Sequence, residues 1–172
     1  SRLKGTPITA RVMKEIEKPE GNVTIFAGGK TIVKAFKKDI PKANIITEPV
    51  LVVQSRGVID VQYCETPCTF KNEMWAYSNK EIVSVKYLFY YLKQNIDILR
   101  RKGSEHGSMP QISVLTTDNL NIPFPPLAVQ KEIVEILDTF TGMIDNLQKE
   151  LEQRQKQFEY YQEKILNFDD VI

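Results

Sequence analysis

Cys64 and Cys68, four positions apart, and a single distant histidine, His106, are the sulfur and imidazole ligands this sequence offers to a metal. A structural zinc site takes four nitrogen or sulfur ligands, so three do not close one. A Cys-x3-Cys pair in a strand-rich stretch reads instead as two semi-buried thiols in a reducing compartment. Ser104, His106 and Asp118 have the residue types of a nucleophile, a base and an orienting acid. The first two lie in a glycine-rich loop, which does not hold the fixed geometry such a site requires. Gly28-Gly29-Lys30 is too short to cradle a phosphate and precedes a strand rather than a helix. Neither a metal nor any other cofactor is expected.

Charge is the stronger chemical signal. The net charge of +1 over 172 residues conceals two opposed parts. Residues 1–126 carry 18 Lys and Arg against 12 Asp and Glu, while residues 127–172 carry 5 against 10. A basic globular portion is the footprint of a protein that meets phosphates, and solvated surface lysines give the same balance. No apolar run approaches the roughly 18 residues of a membrane span, and the start lacks a secretory pattern. The chain is therefore expected in the cytoplasm, with no membrane partner. Ser1-Arg2 in place of an initiating Met suggests a tag remnant or a fragment of a longer protein.

The elements that would position these residues follow from periodicity. Short β-branched and aromatic runs at 23–26, 31–36, 50–55, 57–63 and 74–77 are punctuated by Gly28-Gly29, Pro41, Pro49, Gly57 and Pro67, the pattern of a compact β-rich unit. Residues 83–101 change period: Leu88, Tyr91, Leu92, Ile96 and Leu99 predict one amphipathic helix, closed by the cations Arg100, Arg101 and Lys102 before Gly103. Those cations suit the negative end of a helix dipole, a purely structural role. Residues 103–113 are rich in Gly and Ser and read as a loop. Pro123, Pro125 and Pro126 keep 116–127 from being helical until its end, where Pro126 suits a helix start.

From there Ile133, Leu137, Phe140, Ile144, Leu147, Leu151, Arg154, Phe158, Tyr161, Ile165 and Phe168 recur alternately at four and three, and all but Arg154 are apolar. This is a five-heptad coiled-coil seam. Gly142 is its weak point and predicts a division into a short helix and a longer one. So long a helix is not covered by a unit of about 120 residues, and its seam calls for another helix. The fold class is therefore α+β, a compact β-rich domain followed by a long C-terminal coiled-coil helix.

The run LNIPFPPLAVQKEIVEILDTFTGMIDNL (120–147) resembles the conserved-region signature of the DNA specificity subunits of type I restriction-modification systems. Ile122, Pro123, Pro125, Pro126, Leu127, Gln130, Ile133, Val134, Leu137 and Asp138 fall on that pattern. Upstream, TIFAGGK (24–30), VVQSRGVIDVQY (52–63), VKYLFYYLKQN (85–95), Gly103-Ser104 and Gln111-Ile112-Ser113 resemble parts of the family's target-recognition domain. The family's subunit has two recognition domains and two conserved helices, and this chain has one of each. It is thus a natural half-length subunit or one half of a full one. The opening SRLKGTPITA lacks the usual aromatic-rich lead-in, so an incomplete or divergent first strand is expected.

The resemblance implies a non-catalytic chain that reads double-stranded DNA and directs methyltransferase (modification) and restriction subunits to a bipartite target. The sequence has no Asn-Pro-Pro-Tyr motif, methyl-donor loop or Walker loop of its own. Residues 1–122 would be the target-recognition domain, and residues 123–172 the spacer and dimerisation helix. Reading combines phosphate contacts that fix register with side chains that reach base edges. The phosphate candidates are Lys30, Lys34, Lys37, Lys38, Lys42, Arg100, Arg101 and Lys102. The base-reading candidates are the loop residues Arg56, Lys71, Asn72, Ser104, His106, Ser108 and Gln111. Trp75 and Tyr77 read as core aromatics of a strand rather than a stacking platform. A homodimer through antiparallel 133–168 helices, or pairing with the second half of a full-length subunit, would complete the assembly. The competing class is a coiled-coil adaptor that assembles a complex without reading DNA.

Overall fold

The computed structural model of the chain describes residues 1–29, 31–40, 42–104 and 109–167, the side chain of Ser104 excepted. They form β1 (Arg2–Lys4), α1 (Ala10–Ile16), β2 (Val23–Phe26), β3 (Ile32–Ala35), β4 (Val50–Gln54), β5 (Asp60–Cys64), β6 (Cys68–Phe70), β7 (Trp75–Tyr77), α2 (Ile82–Gln94), α3 (Ile96–Ser104), α4 (Val114–Asp118) and α5 (Leu127–Leu166). A 3-10 turn covers Lys37–Asp39. The chain divides into two units, Ser1–Lys131 and Glu132–Ile172. Sheets with flanking helices, followed by one long helix, give the expected α+β class.

Strand composition explains the layers of the first unit. Every residue of β4, Val50-Leu51-Val52-Val53-Gln54, is buried, as an unalternating apolar run requires when both faces of a strand are covered. Successive side chains point to opposite faces. Leu51 and Val53 enter one core with Val61, Val85, Leu92 and Leu99, while Val50 and Val52 enter another with Phe26, Phe70 and Ala76. β4 is thus an interior strand of a four-stranded antiparallel sheet ordered β1-β7-β4-β5, with α2 and α3 on one face. On the other face lies a three-stranded sheet ordered β3-β2-β6, in which β2 runs parallel to β6. A third core joins Met13 of α1 to Val23, Ile25, Val33 and Ala35 of the smaller sheet. Burial of a Leu or Val of this kind contributes roughly 1.5–3 kcal/mol.

The structure corrects three expectations about helices. The single helix expected over 83–101 is two, α2 and α3, separated at Asn95. The Asn95 amide donates to the Tyr91 carbonyl at 2.9 Å, the local competition for backbone that makes Asn a poor helix-interior residue. The stretch expected to stay non-helical from 116 starts inside α4, which is capped by reciprocal bonds between Ser113 and Thr116. The division expected at Gly142 is absent, and α5 runs unbroken for 40 residues, about 60 Å. The hydroxyls of Thr139 and Thr141 donate to the Glu135 and Leu137 carbonyls at 2.8 Å. A glycine there costs only about 1 kcal/mol relative to alanine, too little to break so long a ladder.

The opening of the chain also holds more structure than expected. β1 pairs antiparallel with β7, matching Leu3 to Ala76. α1 is capped by Thr9, whose hydroxyl accepts from the Val12 N–H at 3.3 Å.

Candidate nucleic-acid interface

The C-terminal end of β4 leads into a polar rim built by backbone pairing. Gly57 has φ +70 and turns the chain between β4 and β5, a conformation that favours glycine. Residues 110–112 lie against this turn. Gly57 N–H donates to the Pro110 carbonyl and Ile112 N–H to the Ser55 carbonyl, each at 2.9 Å, and Arg56 bridges antiparallel to Gln111. Gln111 N–H in turn donates to the Gly103 carbonyl at 3.1 Å, tying the segment to the end of α3. Two exposed base-reading candidates, Arg56 and Gln111, are thereby held side by side.

A second wall comes from the turn between β6 and β7. Met74 N–H donates to the Lys71 carbonyl at 2.9 Å, Lys71 N–H donates to the Phe26 carbonyl at 3.1 Å, and the Ser55 hydroxyl donates to the Glu73 carbonyl. Lys71 and Asn72 are so anchored to the same strand end as Arg56. A cleft of about 220 Å³ lies there, lined by the Gly28-Gly29 turn, by Gln54 to Gly57, by Glu73 and Met74, and by Met109. Lys71 Nζ stands 2.8 Å from Glu73 Oε1. Partial burial pushes the Glu73 pKa up, but the Lys71 hydrogen bond and the charges of Lys71 and Arg56 outweigh it, holding the carboxyl below its usual range. Glu73 and Met109 escaped sequence reasoning. The available signal was an acid set between a cation and a strand, in a turn already rich in candidates.

The phosphate candidates separate into groups. Lys34 is exposed on β3, Lys37 and Lys38 are exposed in the 3-10 turn, and Lys42 is exposed with φ 49. Lys37 and Lys38 follow the end of β3 opposite to the Gly28-Gly29 turn. In α3, Arg100 Nε donates to the Ile59 carbonyl at 3.2 Å and Arg101 Nε to the Asp97 carbonyl at 3.3 Å, so these guanidiniums serve the fold locally. Lys102 instead borders a groove of about 320 Å³ with Gln111, Ser113 and Thr116. Lys30, His106, Ser108 and the side chain of Ser104 lie outside the described residues.

The aromatic pair belongs to the core. Trp75 is buried, and its indole N–H donates to Thr117 Oγ1 at 3.1 Å. Tyr77 OH lies 2.8 Å from the same hydroxyl and donates to Asp118 Oδ1 at 2.6 Å. Burial, and then Asp118, push the Tyr77 phenol up to about 12. Arg2 takes the other Asp118 oxygen at 3.0 Å, so this carboxylate is committed to docking α4 on β7 and β1. Cys64 and Cys68 are free and buried. A hydrogen bond between them pulls the Cys64 thiol down, to about 6, and pushes that of Cys68 up.

On α5 the seam residues Ile133 and Leu137 are half-buried, whereas Phe140, Ile144, Leu147, Leu151, Phe158, Tyr161 and Ile165 are each at least half exposed. Arg154 pairs on its own helix, with Glu150 at 3.7 Å and Gln157 at 3.3 Å. Phe168 lies outside the described residues.

Comparison with known proteins adds to this geometry. The family model of the type I restriction modification DNA specificity domain matches residues 6–155. The chain is 34% identical over 147 residues to the specificity subunit of the type I restriction enzyme EcoR124I/EcoR124II of Escherichia coli, a match covering 81% of this chain and 35% of that one. A Mycoplasma pneumoniae chain described as the C-terminus of a type I specificity subunit is 30% identical over 131 residues, covering 72% of this chain and 85% of that one. The crystal structure of the S subunit of the type I restriction-modification system of M. genitalium superposes with a TM-score of 0.66 at 20% identity, over 98% of this chain and 44% of that one, a likeness of fold. The chain thus spans about a third of the length of the E. coli relative.

Proposed function

This chain belongs to the type I restriction modification DNA specificity family, and from that premise we propose that it reads a sequence in double-stranded DNA for a restriction-modification complex. Residues 1–122 are the reading domain, and residues 123–172 the spacer and assembly helix. The observation that carries the reading is the convergence of exposed Arg56, Asn72 and Gln111, with Lys71, at one strand end, Arg56 and Gln111 by backbone pairing and the Lys71-Asn72 turn through the Ser55 hydroxyl. Arg and Lys suit guanine N7 and O6, and Asn and Gln suit adenine N6 and N7. Ser104, the last residue of α3, with His106 and Ser108 from the stretch that follows it in sequence, completes the set of base readers. Lys30, Lys34, Lys37, Lys38, Lys42 and Lys102 serve phosphates, with Arg100 and Arg101 contributing beyond their local bonds. Methylation and cleavage fall to partner methyltransferase and restriction subunits, and the chain itself is not a catalyst. No described helix is long and apolar enough to cross a membrane.

The exposed seam supports the assembly role. Two copies pair through antiparallel 133–168 helices about an axis near residues 150 and 151, rebuilding the two-domain arrangement of a full subunit. Arg154 of one helix then meets Glu150 of the other, exchanging its partner within the helix for one across it. Such a dimer reads an interrupted palindrome whose half-sites are separated by roughly one helical turn. Titration of the chain, alone and with methyltransferase subunits, on duplex DNA at two salt concentrations tests the reading. Affinity should fall steeply as salt rises, and an adaptor that shows no duplex binding in either form would overturn it.

A further inference from the structure

A surface that meets phosphates gains no affinity from an acid, yet the rim at the end of β4 carries Glu73. The turn has main-chain anchors besides the Glu73 carboxyl. The Ser55 hydroxyl donates to the Glu73 main-chain carbonyl, and Met74 N–H closes the turn on the Lys71 carbonyl. The carboxylate instead stands 2.8 Å from Lys71 Nζ, with about a third of its side chain exposed and the charge of Arg56 nearby. A cationic donor and an anionic acceptor are thus offered side by side at hydrogen-bond separation.

That spacing has a counterpart in DNA. In a G·C pair, guanine O6 and the cytosine N4 amino group bond each other, so an acceptor and a donor lie roughly 2.9 Å apart on the major-groove edge. Guanine N7 is a second acceptor beside O6. Building on the proposal that this rim reads bases, we propose that Glu73 is a specificity-determining residue. With Lys71 and Arg56 it reads one G·C pair, accepting from the cytosine amino group while the two cations donate to guanine O6 and N7. In the same orientation an A·T pair reverses the order and puts a thymine carbonyl where the carboxylate needs a donor, while a T·A pair keeps the order but puts the thymine methyl where guanine N7 would accept from the second cation. The Lys71 bond also keeps Glu73 ionised and oriented before DNA arrives, so the acceptor is pre-formed.

Glu73→Gln, Glu73→Ala and Glu73→Asp, each in the full chain with its methyltransferase subunits, test this. The methylated motif is read from host DNA, and binding is measured on duplexes that vary one pair at a time. The parent motif should contain a G·C pair at which the Gln and Ala variants lose discrimination by about tenfold or more. Preference at the other positions and the thermal midpoint should hold, and Asp should retain part of the discrimination. A motif unchanged in both Gln and Ala variants, or a half-site without a G·C pair, would overturn the assignment of Glu73 alone. So would a uniform rise in affinity for every duplex, the mark of a merely repulsive charge. A parent that binds no duplex in any combination would overturn the base-reading proposal beneath it, and this inference with it.

Discussion

The rim at the end of β4 and the seam of α5 are both exposed, and they are built on opposite plans. The rim offers polar side chains from turns whose backbones are fixed by bonds to buried strands, as in Lys71 N–H to Phe26 and Ile112 N–H to Ser55. The seam offers apolar side chains on a regular helix, where Leu147, Leu151 and Phe158 are each more than half exposed among the described residues. A rigid frame presenting a few polar groups suits discrimination between similar ligands, because an unmatched polar group is costly. A periodic apolar stripe suits assembly, where buried area rather than any single group carries the affinity.

The largest effect is expected where the seam is charged. Sedimentation at tens of micromolar should show a dimer for the parent and a monomer for the Leu147→Asp, Leu151→Asp double variant, while the rim and the fold of residues 1–131 persist. An unchanged mass would remove the dimer from the scheme. At the rim, Gly57→Ala isolates backbone strain. A Cβ at Gly57 meets nothing within 4 Å, but φ is +70, so a loss of about 1–2 kcal/mol in denaturant unfolding is expected. DNA affinity should fall with it as Arg56 shifts.

The contrast between the two regions also shows in what was legible beforehand. The seam could be read from its period, because every member of a helix face is set by local spacing. Strands β2, β3, β4, β5 and β7 followed in the same way from β-branched and aromatic runs set between turn residues. The rim was visible only as a set of polar loop residues, because what joins Arg56 to Gln111 is a pairing between distant stretches that no local pattern encodes. Glu73 went unnoticed for the same reason, its partners being set by a turn. α4 was hidden by two threonines and a nearby proline-rich run, although Thr117 proves to be the hub for Trp75 and Tyr77.

Smaller substitutions separate reading from support within one helix. Lys102→Ala is expected to reduce the salt slope of DNA binding by about one unit with stability unchanged. Arg100→Ala should reduce the slope too but also lower stability, by about 0.5–1.5 kcal/mol, through its bond to the Ile59 carbonyl. The reverse pattern in titration and denaturation would exchange their roles. Tyr77 supplies the smallest expected effect. Its folded pKa is raised to about 12 from an ordinary value of 10.0, so its contribution is complete below about pH 10 and is lost as pH rises toward 12. Unfolding followed between pH 9 and 12 should show a shallower alkaline decline in Tyr77→Phe than in the parent, and equal slopes would remove the phenol from that region.

Reading by the rim is tested most directly by the methylated motif in a host that carries this chain with its methyltransferase subunits. Arg56→Ala and Gln111→Ala should each relax the motif at one pair of the half-site, by about 1–3 kcal/mol of discrimination, and leave the spacing between half-sites unchanged. A motif identical to the parent's in both variants, with the fold intact, would contradict the assignment of recognition to this strand end.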